Sequence, residues 1–189
     1  MRRLRTVPPL AIAALIACSV AGCLPLDPAP VPTIAPTGTP LFSSDEEALA
    51  AAEEAYGAYL AVSGQILNEG GAQPERIDEV VTPERAAIEK ASYSDLGNAG
   101  LRTVGRTTFF GTVLQRFDTE SPDGRDVVSV YLCSDVSGVD VLDAAGNSVV
   151  SPNRPALTPF EVAFDLAGGG GMTLVVSRKE PWPESGVCA

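Results

Sequence analysis

The feature that most constrains this chain is a change of period near residue 101. Before it, apolar residues recur at helical spacing; after it, they alternate. Ser44-Asp45-Glu46-Glu47 reads as a capping box, with Ser44 holding orphan N–H groups and Glu47 reaching back. Leu49, Tyr56, Leu60 and Leu67 follow on one face, with Ala52 and Ser63 between them, up to a stop at Asn68-Glu69-Gly70-Gly71. A short helix is expected over 74–81, with Ile77, Val80 and Val81 turned inward. Thr82-Pro83-Glu84 starts another helix, with Thr82 as cap and Pro83 in the first turn. It ends at Gly97-Asn98-Ala99-Gly100.

Past that point the pattern predicts strands over 102–117, 126–133, 139–142, 148–150, 160–166 and 172–177. Asp143-Ala144-Ala145-Gly146-Asn147 is a hairpin signal and residues 168–171 are a turn. In residues 160–166, Phe160, Val162, Phe164 and Leu166 alternate with Glu161, Ala163 and Asp165, as in a strand with one wet face. Helices first and strands afterwards imply an α+β domain, with N-terminal helices packed on a curved antiparallel sheet.

The first 44 residues have a different logic. Arg2, Arg3 and Arg5 precede an uncharged apolar run over 8–20, which is short for a bilayer span and fits an export signal. Val20-Ala21-Gly22-Cys23 resembles a lipobox. That resemblance implies cleavage before Cys23 and diacylglycerol and palmitoyl chains on that cysteine, enough for firm anchoring. Prolines at 25, 28, 30, 32, 36 and 40 favour an extended tether. The expected organisation is a signal peptide over 1–22, a lipidated Cys23 with a proline-rich tether over 23–44, and one α+β domain over 45–189. Its expected place is the extracytoplasmic face of a bacterial cell membrane.

Removing residues 1–22 removes three arginines and no acid, leaving 10 basic and 24 acidic residues, a net charge of −14. Such a surface repels nucleic acid. The chain contains 0 histidines, so the commonest general base and metal ligand is missing. Asp135, Asp140 and Asp143 do not match the spacing of a calcium loop, and two of them lie at or near the predicted hairpin. The glycines at 168–171 precede a strand, where a phosphate loop needs a helix start. No metal or cofactor is expected, and no catalytic set can be assembled.

Once Cys23 is acylated, Cys133 and Cys188 are the thiols of the exported chain. In an oxidising compartment they are expected to pair, closing a loop of about 56 residues; two free buried thiols are the alternative. Trp182, between two prolines, is read as a hydrophobic plug near that pair.

The run Leu132-Cys133-Ser134-Asp135-Val136-Ser137, the strand 139–142 and the hairpin Asp143-Ala144-Ala145-Gly146-Asn147-Ser148 resemble small actinobacterial lipoproteins of unknown function with a nuclear-transport-factor-2-like cone domain. Ketosteroid isomerase and SnoaL-like proteins share that cone. The likeness implies an interior in which Tyr56, Tyr93 and Tyr131 are candidate ligand-lining residues; core packing is the other and preferred reading of the tyrosines. In ketosteroid isomerase the cone houses an Asp base and an oxyanion hole; the nearest equivalents here, Asp165 and Glu161, alternate with an apolar face and are expected to meet water. The expected role is a non-catalytic module binding an envelope protein or component. A carrier or sensor of a small apolar ligand is the alternative, and an isomerase- or cyclase-like enzyme the third.

Overall fold

In the computed structural model, residues 41–118, 121–168, 172–184 and 186–189 are described. The expected signal peptide, Cys23, the expected tether up to residue 40 and most of the turn expected over 168–171 lie outside them. Packing begins inside the stretch assigned to the tether. Phe42 is 4% exposed and meets Phe117 edge-on at 6.2 Å.

Helix α1 spans Asp45–Asn68, with three acidic residues in its first turn against the helix dipole. Ser44 Oγ accepts the Glu47 N–H at 3.3 Å. The Glu47 carboxylate reaches one residue further back than expected and accepts the Ser43 N–H at 2.7 Å. The buried stripe is Ala48, Ala52, Tyr56, Tyr59, Ser63 and Ile66. Leu49, Leu60 and Leu67, expected at its centre, lie on its flanks. The helix is rotated because small Ala48 and Ala52 allow close approach, and Tyr59 is drawn inward to a partner on the second helix.

Pro74–Glu79 forms a 3-10 helix that buries Ile77. Val81 follows and makes a parallel bridge to Val176. Helix α2, Pro83–Asn98, starts as its sequence dictates: Thr82 Oγ1 accepts the Arg85 N–H at 3.3 Å, and Pro83 supplies the first turn.

The expected strand over 102–117 divides into β1 (Arg102–Gly105) and β2 (Thr108–Phe117). Gly105 has φ +92°, and a Cβ there would sit 1.9 Å from the Gly138 carbonyl. Only glycine allows this kink. Next come β3 (Val128–Asp135), β4 (Val139–Leu142), β5 (Leu157–Leu166) and β6 (Leu174–Pro181). β1 and β4 form a two-stranded ribbon, and an antiparallel sheet runs in the order β2-β3-β5-β6. The class is α+β, and among the described residues the sheets do not close. The Asp143 turn forms, but the expected strand over 148–150 reduces to a single bridge, Leu142↔Ser148.

The helices cover the face bearing Val128, Val130, Leu132, Val162, Phe164 and Val176, which forms the core with Tyr56, Ile66 and Tyr93. The opposite face of β5 is drier than expected, since Ala163 is fully buried. A bulge opposite Ala163 and Phe164 shifts the β6 register, so Lys179 rather than Arg178 lies opposite Val162 on the helix side.

Candidate functional site

The two cysteines form a disulfide, with Cα atoms 5.0 Å apart. Cys133 lies on the outer face of β3, and Cys188 arrives on a short 3-10 turn, Gly186–Cys188. That turn reaches the sheet because Gly111 has φ +64° and no side chain; a Cβ would meet the Val187 carbonyl at 2.4 Å. Trp182 packs on Tyr131 with the rings tilted and their centres 4.5 Å apart, and its backbone N–H donates to the carbonyl of Pro159, the register partner of Cys133. Tyr131 is thus part of the outer-face plug around the disulfide, and its hydroxyl accepts Gln115 Nε2 at 2.6 Å.

Tyr56 and Tyr93 are in the interior, at 0% and 1% exposure. Tyr56 packs edge-on against Phe109 at 5.0 Å and stacks on Tyr59 at 5.7 Å. Its hydroxyl faces Ser134 without closing a hydrogen bond of standard geometry. The Tyr93 hydroxyl donates to Ser63 Oγ at 2.9 Å. Burial pushes the phenols of Tyr56, Tyr59 and Tyr93 above the ordinary tyrosine range. All three remain neutral at physiological pH.

The interior holds a polar cluster that period-based reading does not find. Glu89, 8% exposed, accepts the Tyr59 hydroxyl at 2.8 Å and Arg85 Nε and Nη2 at 2.9 and 2.6 Å, all on Oε1. The sequence signal was present as Arg85 and Glu89 one helical turn apart, a spacing usually seen on wet faces. Lys179 comes down from β6 onto the same region. Its Nζ lies 4.3 Å from the Phe160 ring centre and 5.9 Å from that of Tyr59. Burial draws its ammonium below the usual lysine range, with Glu89 opposing. A carboxylate beside a tyrosine is the kind of pair an isomerase-like site needs, but here Arg85 already pairs with it.

The other carboxylates have local partners. Glu161 accepts Arg178 Nη2 at 2.8 Å, and Asp165 accepts the Asp126 N–H at 2.9 Å. Asp135 accepts the Ser137 N–H, Asp140 the Ser148 hydroxyl, and Asp143 the Ala145 and Asn147 N–H groups. Among the described residues, no group of three His, Cys, Asp or Glu could hold a metal. No helix among them is long and apolar enough to cross a membrane.

Several open concavities lie on the surface. A groove of about 450 Å³ runs between α1 and the β1–β2 kink, lined among others by Gly57, Ala61, Gly64, Arg106, Thr107 and Phe109. Asn68 ties its end, accepting Thr103 Oγ1 at 2.6 Å and donating to the Gly105 carbonyl at 3.3 Å.

No family model and no curated protein matches the chain. Among solved structures, the intermembrane space region of chloroplast protein ARC6 is similar, with a TM-score of 0.50 and 10% identity over 70% of this chain and 95% of that one. A de novo designed β-sheet protein is similar with a TM-score of 0.34 and 12% identity over 72% of this chain and 88% of that one. The likeness to the ARC6 region concerns the fold alone.

Proposed function

We propose that this chain is a lipoprotein held by acyl chains on Cys23 at the extracytoplasmic face of a bacterial membrane, and that its α+β domain is a non-catalytic binding module. The observation that carries the second half is the filled interior. Tyr56 and Tyr93 are sealed in packing, and Glu89 is committed to Arg85 and Tyr59, while the groove beside α1 is open to the surface. A catalytic base needs a reachable proton on a substrate, and an enclosed, ion-paired carboxylate offers none. The Cys133–Cys188 disulfide supports an oxidising location. The nuclear-transport-factor-2-like cone belongs to the same proposal, supported by helices on one face of a sheet whose edge strands β2 and β6 both take part in bulged pairings.

The surface groove favours one second reading, a carrier of a small apolar ligand, because its volume falls in the range of small-molecule sites. Native mass spectrometry of the protein from its host membrane tests both. A lipid-anchored binding module predicts an acylated N-terminal Cys23 and no stoichiometric small molecule. A bound ligand in one-to-one ratio moves the assignment to a carrier. An unmodified Cys23 on a chain retaining Met1 removes the anchor.

A further inference from the structure

We propose that the free edge of β2, together with the groove beside it, receives an extended partner segment in which acidic and apolar residues alternate, and which adds a strand at residues 107–110. This deepens the binding-module reading and rests on it. β2 is terminal in the order β2-β3-β5-β6. Among the described residues, no strand or loop backbone pairs with its outward edge. Such an edge is a ready template for an added strand. Register shifts between Phe110 and Val113 and between Leu114 and Arg116 bend the later part of β2, so the regular stretch is the one that borders the groove.

Side-chain parity fits the same occupant. Phe109 points inward to Tyr56, whereas Phe110 and Val113 point outward at 43% and 51% exposure. A strand added here directs alternate side chains into the groove and sets the others beside Phe110. The groove is open because α1 presents Gly57, Ala61 and Gly64 to it. A Cβ on Gly57 or Gly64 would meet nothing within 4 Å, so packing within the domain does not demand either glycine.

Charge selects the partner. The chain has 24 acidic and 13 basic residues. Yet residues 55–68 carry no charge, and residues 101–117 carry Arg102, Arg106 and Arg116 with no acid. Arg116 is paired with Asp126 at 3.8 Å, whereas Arg106, which lines the groove, makes no ion pair among the described residues, and that cation attracts an acidic segment. A second copy is the wrong occupant, because β2 itself supplies no acidic side chain to set against Arg106.

Two synthetic peptide pools of about eight residues test this against the full chain in detergent micelles. One alternates Val, Ile or Leu with Asp or Glu; the other replaces the acids with Lys. The acidic pool is expected to bind saturably and to shift the backbone amide resonances of residues 107–110, and the Lys pool to bind at least about tenfold more weakly. Gly64→Leu fills the groove and should weaken binding at least about tenfold, while leaving thermal stability equal or higher, since Leu is the better helix former. Arg106→Glu should reduce binding similarly. No binding by either pool, equal binding by both, or binding that survives Gly64→Leu overturns the site. The broader reading is judged separately, by the acyl mass on Cys23 and the native mass.

Discussion

Glu89 shows how one residue can decide between chemistry and architecture. With Arg85 in place its carboxylate is compensated; the two side chains are 10% and 18% exposed. Arg85→Met leaves a buried charge unpaired and should cost about 3–5 kcal/mol. Adding Glu89→Leu removes that charge, at the smaller cost of an unpartnered Tyr59 hydroxyl, about 1–3 kcal/mol. Urea midpoints should therefore show the double variant more stable than Arg85→Met alone; the reverse order would mean the carboxylate is not enclosed. Asp143 makes a different prediction. Backbone and side-chain hydrogen bonds from Asn147 hold its carboxyl below the ordinary aspartate range. Its folded value thus lies below the unfolded value of about 3.9. The stabilisation is present in full above pH of about 4 and is lost as pH falls through the folded value. Melting temperatures of the parent and Asp143→Asn should differ at neutral pH and converge in acid.

At the scale of elements, the two helices were legible because their ends are written in local chemistry: Ser44, Thr82 and Pro83 cap, and Gly70-Gly71 stops. The strands were legible from alternation. The break at Gly105 was not, because a Thr-, Val- and Phe-rich run reads as continuous and the close approach to Gly138 is a tertiary fact. Lys179 escaped because the last strand was expected to end at residue 177, whereas β6 runs to Pro181, and the bulge opposite Ala163 and Phe164 also flips the parity that alternation relies on. The Glu89 cluster escaped because Arg and Glu one turn apart look the same buried or wet. Tyr56 and Tyr93 were picked out by residue type, which does not tell a cavity wall from a packed core. Gly111 carries an element-scale prediction. Gly111→Ala combines a left-handed φ with a clash against Val187, and should cost roughly 1–3 kcal/mol. Loosening of the C-terminal turn should show as faster reduction of the disulfide; an unchanged rate would mean the turn docks independently of β2.

At the scale of the whole molecule, the bridge between Cys133 and Cys188 spans 55 positions in sequence. In the chain-entropy picture a loop of that size is worth on the order of 4 kcal/mol. A Cys133→Ser, Cys188→Ser variant should melt roughly 8–16 °C lower, at 2–4 °C per kcal/mol. A shift of only a degree or two would show that the reduced ensemble is already compact. The same bridge changes how the domain bears mechanical load. Tension entering along α1 and leaving at Ala189 crosses from Cys133 to Cys188 directly, so β4, β5 and β6 are shielded from the pull. Stretched to its limit, the oxidised chain is shorter than the reduced one by about 180–200 Å, at 3.3–3.6 Å per residue.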